Sequence, residues 1–383
     1  MELFVVHFIG DNETSCKMMS GSIFRKSELF LIFICVIPLL QFYHVKSNLA
    51  EATSSSEKIV SIMAVGDSIG YNIVNENLSN LSSIIHNSTD IFIFNLEGVL
   101  ADDASLSNSS SSAVICEGFP SRQSTFVSNS TFVDYLKLAP ITIANLANNH
   151  IFDCRAEGIN ETKKVLEEKN VLSVGAGQDL QEACEPLLVQ HEGFRIAFVS
   201  YNFVNDDLVS AHANRAGGAS MDACNHDYNS IRSQKGADLI IASIHLGYWS
   251  PDVNEEQVKV VQYLFDSGVD IVIGHSPHMP QAIAATKGGN LAFFSLGNFI
   301  LRPDYTMPEL AHTTIVPQID IYANNTVDVI IYPVRINDEG IPHLEEHSNN
   351  DIISRIAKDS DEFSTSIIIH DNLGLLAVKR YSE

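Results

Sequence analysis

Basic residues are scarce in this chain. It carries 23 Lys and Arg against 47 Asp and Glu, a formal charge of −24. No basic surplus exists to neutralise phosphates, so nucleic acid is not an expected partner. Electrostatic docking on an anionic membrane surface is disfavoured for the same reason. Cysteine is scarce as well, with six residues and no Cys-x-x-Cys pair, which speaks against a thiolate zinc cluster. There is one tryptophan, Trp249, and no internal repeat. Apolar residues are not lacking. They make up 45% of 383 residues, enough for a sizeable core and too many for wholesale disorder.

The amino-terminal region reads as a targeting signal. Arg25 and Lys26 precede an uncharged run, "LFLIFICVIPLLQFYHV" at 29–45, at the short limit for a spanning helix. "AEA" at 50–52 has the form of a small-residue cleavage site, so signal peptide and retained signal-anchor are both open. Lys17, Arg25 and Lys26 against Lys46 favour a cytoplasmic segment 1–28 and an outer remainder. The expectation is a cell-surface protein, membrane-anchored or secreted. Sequons begin at Asn77, Asn80, Asn87, Asn108, Asn129, Asn160 and Asn324 and permit glycosylation. Cys16 and Cys35 lie in or before the apolar run. Cys116, Cys154, Cys184 and Cys224 would face an oxidising space, where two disulfides can form in three connectivities.

Residues 46–57 form a polar linker, and a rhythm of short apolar runs follows. They are "IVSIMAV" (59–65), "DIFIFNL" (90–96), "ITIANLA" (141–147), "VLSVGAG" (171–177), "RIAFVSY" (195–201), "DLIIASIHL" (238–246), "VDIVIG" (269–274) and "LAFFSLG" (291–297). Rich in Val, Ile and Phe and mostly too short for helices, they are read as strands. Several lack alternation, as in strands buried on both faces. Helical spacing recurs in "EGINETKKVLEEKN" (157–170) and in "NEEQVKVVQYLFDSG" (254–268), where Asn254 is an N-cap and Gly268 a stop. The alternation predicts an α/β architecture. Residues 101–113 look like a low-complexity insert and 313–336 like a β-hairpin with "NN" in its turn. Residues 337–383 form a C-terminal extension with one further strand and turn.

Polar residues gather where the apolar runs stop: Asp67, Asn95 and Glu97, then Asn148, Asn149 and His150, then His245, then His275 and His278. In open α/β sheets ligands bind beyond the carboxyl ends of the strands. A core has no use for such groups, since each buried without a partner costs roughly 1–3 kcal/mol. Singly the motifs are ambiguous. A strand-terminal His is often a hydrogen-bonded turn residue, and Asn-Asn-His can cap a helix. His275 and His278 differ in flanking Pro277, which stiffens the loop between them. Carboxylates, an amide oxygen and imidazoles together suit Mn, Fe(II), Zn or Co. Two such ions about 3.5–4 Å apart, sharing a carboxylate, can activate a water.

Six stretches, "VGDSIG", "FNLEG", "LANNHIFDC", "IIASIHLG", "VIGHSPHMPQAI" and "FFSLGNFI", resemble in order and spacing the CapA family of poly-γ-glutamate capsule proteins. The resemblance runs from about residue 58 to 335 and implies one domain over 58–336. It implies a calcineurin-like metallophosphoesterase fold, a β-sandwich flanked by helices. It further implies two divalent metal ions held by Asp67, Glu97, Asn149, His245, His275 and His278, with Glu97 as the bridge. His150 would be the general acid. Asp153 would orient His150 or serve as a helix cap. The sequence departs from the family pattern after His245, where Leu246 replaces an aromatic and Trp249 stands where an acid is usual. Trp249 suits a stacking wall or simple packing.

The functional expectation is a capsule biosynthesis or processing protein that hydrolyses or transfers an amide or phosphoester bond of poly-γ-glutamate or a similar acidic envelope polymer. The alternative is a non-catalytic subunit that tethers or exports the polymer within a membrane synthase complex. A phosphoesterase for nucleotides or phospholipids would call for basic residues at the motifs, and only Arg155 and Arg302 lie near them.

Overall fold

The computed structural model describes residues 56–70, 89–101, 125–204, 206–301, 307–345 and 351–380, all within the unit Ser55–Glu383. The apolar run 29–45, most of the linker, Cys16, Cys35, Cys116, the sequons at Asn77, Asn80, Asn87 and Asn108, residues 102–113 and Arg302 lie outside the described residues.

The apolar runs become strands because β-branched and aromatic residues fit a pleat buried on both faces. In the first sheet β1 (Lys58–Ser68), β2 (Ile91–Leu96), β3 (Ile141–Asn145) and β4 (Leu172–Val174) run parallel. The second sheet holds β5 (Leu187–His191), β6 (Phe194–Asn202), β7 (Leu239–His245), β8 (Ile271–His275), β9 (Ile283–Ala285) and β10 (Leu291–Phe293). Its order is β9-β10-β8-β7-β6-β5. The chain then returns to the first sheet with β11 (Asn298–Ile300), parallel to β1, and with β12 (Thr313–Tyr322) and β13 (Thr326–Ile336), the expected hairpin. The C-terminal residues add β14 (Pro342–Leu344), β15 (Ile368–His370) and β16 (Leu373–Lys379). The first sheet therefore reads β15-β16-β13-β12-β1-β2-β3-β4, with β11 beside β1 and β14 beside β13.

The sheets face each other across an aliphatic layer that includes Ile62 and Ile93 from one and Phe198, Ile241 and Ile273 from the other. The outer face of the first sheet is covered by α1 (Arg155–Glu168), through Ile159, Val165 and Leu166. The outer face of the second is covered by α2 (Tyr228–Lys235) and α3 (Glu255–Asp266), through Ile231, Val261 and Leu264. The result is a β-sandwich flanked by helices, in α/β connectivity. Asn254 caps α3 in a full capping box with Gln257. The C-terminal extension closes the sandwich rather than trailing from it. Ile352, Ile353 and Ile356 of α4 (Asp351–Ser360) join the inner layer, and β16 pairs with β13. Cys184 and Cys224 form a disulfide. Cys154 is also disulfide-bonded. Asn129, Asn160 and Asn324 are exposed. Among the described residues no helix is long and apolar enough to cross a membrane.

Candidate metal centre

The facing surfaces of the two sheets change character at one end. Inward residues run Ile62, Ala64 and then Asp67 on β1; Ile91, Ile93 and then Asn95 on β2; Ile271, Ile273 and then His275 on β8. Register aligns Asp67 with Asn95 and Asn95 with Asn145 in the first sheet. It aligns Asn202 with His245 and His245 with His275 in the second. Two polar rows thus meet at the carboxyl ends of parallel strands, where α/β sheets place their ligands.

Glycines make the approach possible. A Cβ on Gly66 would lie 1.8 Å from the Gly297 carbonyl oxygen. Here β1 bulges, its register with β2 shifting between Val65 and Asp67, and the bulge re-aims the next side chain. Gly274, before His275, would meet the Phe294 carbonyl at 2.0 Å. The loop after β8 is unusual in its backbone. Ser276 and His278 have φ of 96° and 58°, a region that non-glycine residues enter mostly under constraint. The constraint is visible: Ser276 Oγ donates to the Gly247 carbonyl at 3.0 Å, and Ser276 N–H reaches Asp67 Oδ2 at 3.3 Å.

The side chains converge. Among the described residues, Asp67, Glu97 and His278 each offer a donor atom within 4.8 Å of the other two. His278 Nδ1 lies 3.3 Å from Asp67 Oδ2, and His275 Nδ1 lies 3.5 Å from Asp67 Oδ1. Glu97 Oε1 is 3.8 Å from His245 Nε2 and 4.0 Å from His278 Nε2. Asp67, Glu97, His245 and His275 are buried, whereas His150 and His278 keep 12% of their side chains exposed and mark the mouth. Asn149 lies in the turn after β3, next to His150, with its Oδ1 shielded from solvent.

Electrostatics follow from this crowding. Burial pushes the Asp67 carboxyl up, but contact with His275, and the charges that His278 and His245 carry in the acid range where Asp67 titrates, bring it below the usual carboxylate range. Glu97 has no such rescue. Burial first, then the negative charges of Asp67 and Asp153, push it well above its ordinary value. Burial drops His245 to about 3 and also lowers His278, so both imidazoles are held neutral near pH 7. Glu97 Oε2 and His275 Nε2 are buried with no hydrogen-bond partner among the described residues. Neutral imidazoles, paired carboxylates and buried acceptors left over are a donor set that fits divalent cations of the borderline type.

The other expected residues lie at the mouth. Asp153 Oδ2 accepts from the Phe126 N–H at 2.8 Å and sits 2.7 Å from His150 Nδ1. A carboxylate only accepts, so Nδ1 carries the proton and Nε2 points inward, 4.0 Å from Glu97 Oε1. Phe126 stacks on His150 with ring centres 4.1 Å apart. Trp249, 47% exposed, lies over His278 at 4.4 Å. Sequence reasoning assigned no role to Asn298, whose Oδ1 holds His278 Nδ1 at 2.9 Å, or to Asn95, whose amide donates to Asp67 Oδ1 at 2.7 Å. Asn95 stood on the expected rim without a role, and Asn298 is a polar residue in a strand of the same rim, which is the signal that could have found it.

A family model described as "Bacterial capsule synthesis protein PGA_cap" matches residues 48–303, a span that contains every residue of the centre. The chain is 27% identical over 237 residues to the PGA biosynthesis protein CapA of Bacillus subtilis (strain 168), covering 61% of each protein. It is 27% identical over 237 residues to the capsule biosynthesis protein CapA of Bacillus anthracis, covering 60% of this chain and 56% of that one. The chain thus spans about three-fifths of the length of the curated relatives it matches. A crystal structure of the 5'-nucleotidase from Candida albicans SC5314 aligns with TM-score 0.41 and 12% identity, over 80% of this chain and 59% of that one.

Proposed function

Because the chain belongs to the bacterial capsule synthesis protein PGA_cap family, we propose that it processes poly-γ-glutamate or a similar acidic envelope polymer, hydrolysing or transferring an amide or phosphoester bond. The observation that carries this reading is the meeting of Asp67, Glu97 and His278 within 4.8 Å at the junction of the two sheets. In this reading Asp67, Glu97, Asn149, His245, His275 and His278 would hold two divalent ions, Mn, Fe, Zn or Co, with Glu97 as the shared ligand. Such ions supply Lewis-acid polarisation and lower the pKa of a nearby water.

The chain's own residues supply the rest. Asp153 holds the Nδ1 proton of His150, so that Nε2 faces the cleft, and the ring when protonated on both nitrogens would give its Nε2 proton to the leaving atom. Phe126 behind His150 keeps the ring from turning away. The cations offset repulsion between an acidic polymer and a chain of charge −24. Export to an oxidising compartment is supported by the Cys184–Cys224 disulfide and by disulfide-bonded Cys154. The apolar run at 29–45 would direct that export or hold the protein at the cell surface beside membrane synthase subunits.

The test is release of glutamate oligomers from poly-γ-glutamate, and of p-nitrophenol from its phosphate esters, with Mn or Zn before and after chelation. Metal-dependent turnover that falls at least 100-fold in His150→Ala is the expected outcome. No turnover by protein that demonstrably holds metal would refute the enzyme reading. It would leave tethering or export of the polymer, a role that His150→Ala should not disturb.

A further inference from the structure

Four amide or hydroxyl side chains at the sheet junction touch one another in a fixed direction. Asn145 Oδ1 accepts from the Ala147 backbone N–H at 3.1 Å and from Ser200 Oγ on the opposite sheet. A backbone N–H can only donate, so the oxygen of Asn145 is identified and its NH2 must point the other way. It points at Asn95 Oδ1, 2.8 Å away. Asn148 is fixed in the same manner. Its Oδ1 accepts from the His150 N–H at 3.1 Å, and its Nδ2 donates to the Leu96 carbonyl at 2.7 Å and to Asn95 Oδ1 at 3.2 Å. Two amide donors therefore meet on Asn95 Oδ1. The remaining end of Asn95, its NH2, faces Asp67 Oδ1 at 2.7 Å. Asn95, Asn145 and Asn148 are fully buried and Ser200 almost so, so no water competes for these bonds.

We infer that Asn145 and Asn148 are positioning residues for metal binding, acting through Asn95. They force its amide to donate to Asp67 Oδ1 and so leave Oδ2 as the oxygen turned toward His278. Neither residue contacts Asp67. Each acts by closing the alternative in which Asn95 turns its oxygen toward the carboxylate and repels it. The relay also ties Asp67 to the loop that carries His150, because Asn148 holds the His150 backbone. The inference rests on the metal reading of the centre.

The experiment replaces an amide donor by an acceptor of the same shape, in Asn145→Asp and separately in Asn148→Asp. Mn2+ dissociation constants are measured by competition with a fluorescent chelator, and melting temperatures are measured without metal. Each variant should bind Mn2+ at least tenfold more weakly than the parent, the scale of losses from groups behind metal ligands, with its metal-free melting temperature little changed. The sign is diagnostic, because a new negative charge near a cation held only by charge would tighten binding. A constant within twofold of the parent, or a tighter one, overturns the relay. Weaker melting with unchanged affinity does so too, as it marks a purely structural role. If neither variant folds, the amides serve the fold and the inference falls. A parent protein that binds no Mn2+ refutes the metal reading itself, a result separable from unchanged affinity in the variants.

Discussion

At Gly66 and Gly297 two backbone segments touch with no room for a side chain, since a Cβ on Gly66 would come within 1.8 Å of the Gly297 carbonyl oxygen. The contact also carries a hydrogen bond, from the Asp67 N–H to that same oxygen at 3.0 Å. The atom that would clash is backbone and cannot rotate away. Gly66→Ala should therefore push β1 off β11, cost on the order of 3 kcal/mol, and displace Asp67 from His278. A lower urea midpoint together with lost Mn2+ binding checks this; full binding with a small stability change would refute it. The residue types of the centre were legible in the sequence, because carboxylates and imidazoles at strand ends have no use in a core. The roles of Asn95, Asn145, Asn148 and Asn298 were not. An amide at a strand end serves equally as turn, cap or ligand, and only the cross-strand register tells which. Nor did "GHSPH" reveal that Ser276 and His278 take positive φ, since Pro277 biases Ser276 toward extended backbone and leaves His278 open.

Among the elements, the hairpin of β12 and β13 holds a conflict. Asp320 and Asp328 face each other directly across the pair, a placement that like charges disfavour. Asp320 is well supplied: Ser61 Oγ donates to it at 2.6 Å, and Lys58 Nζ lies 3.6 Å away. Asp328 pays the cost, since burial and then the Asp320 charge raise its carboxyl from 3.8 to about 6. An acid raised on folding is not penalised below its unfolded value, and the penalty grows as pH climbs from about 4 to about 6. Asp328→Asn should thus be neutral at pH 4 and stabilising at pH 8. About 1.4 kcal/mol per pH decade, discounted for the partial exposure of Asp328, gives a gain of about 1–2 kcal/mol. Denaturant midpoints at the two pH values test it, and an equal gain at both would remove the electrostatic cause. Strand existence was legible from Val-, Ile- and Phe-rich runs, and α3 from its spacing and Asn254. β5 was harder to see. "LLVQH" is a half-exposed edge strand, and its short alternation is diluted by polar neighbours.

Across the whole molecule the candidate ligands divide between the layers. Asp67 belongs to a strand of the first sheet and Glu97 to the loop after another, whereas His245 and His275 end strands of the second and His278 follows in the loop beyond them. The aliphatic layer between the sheets is continuous up to this junction and then gives way to polar side chains. Hydrophobic burial therefore holds the sheets together over most of their length and contributes least at the centre itself. There two carboxylates and several imidazoles sit buried, with Glu97 Oε2 and His275 Nε2 left without hydrogen-bond partners among the described residues. A cation bound across the junction would tie one sheet to the other and relieve the repulsion between Asp67 and Glu97. Binding to the folded state alone stabilises it by about 2.7 kcal/mol when the free ion stands at about 100 times its Kd. For a domain of this size that corresponds to a rise in Tm of several degrees. Excess Mn2+ or Zn2+ should raise Tm by that amount, and EDTA should reverse it. Glu97→Gln should abolish the response by removing the oxygen charge that faces both His245 and His278, while keeping or raising the metal-free Tm, since the raised Glu97 carboxyl is itself a folding cost. A metal response that survives Glu97→Gln, or a parent Tm indifferent to both ions and to EDTA, would mean that the junction is closed by the protein alone.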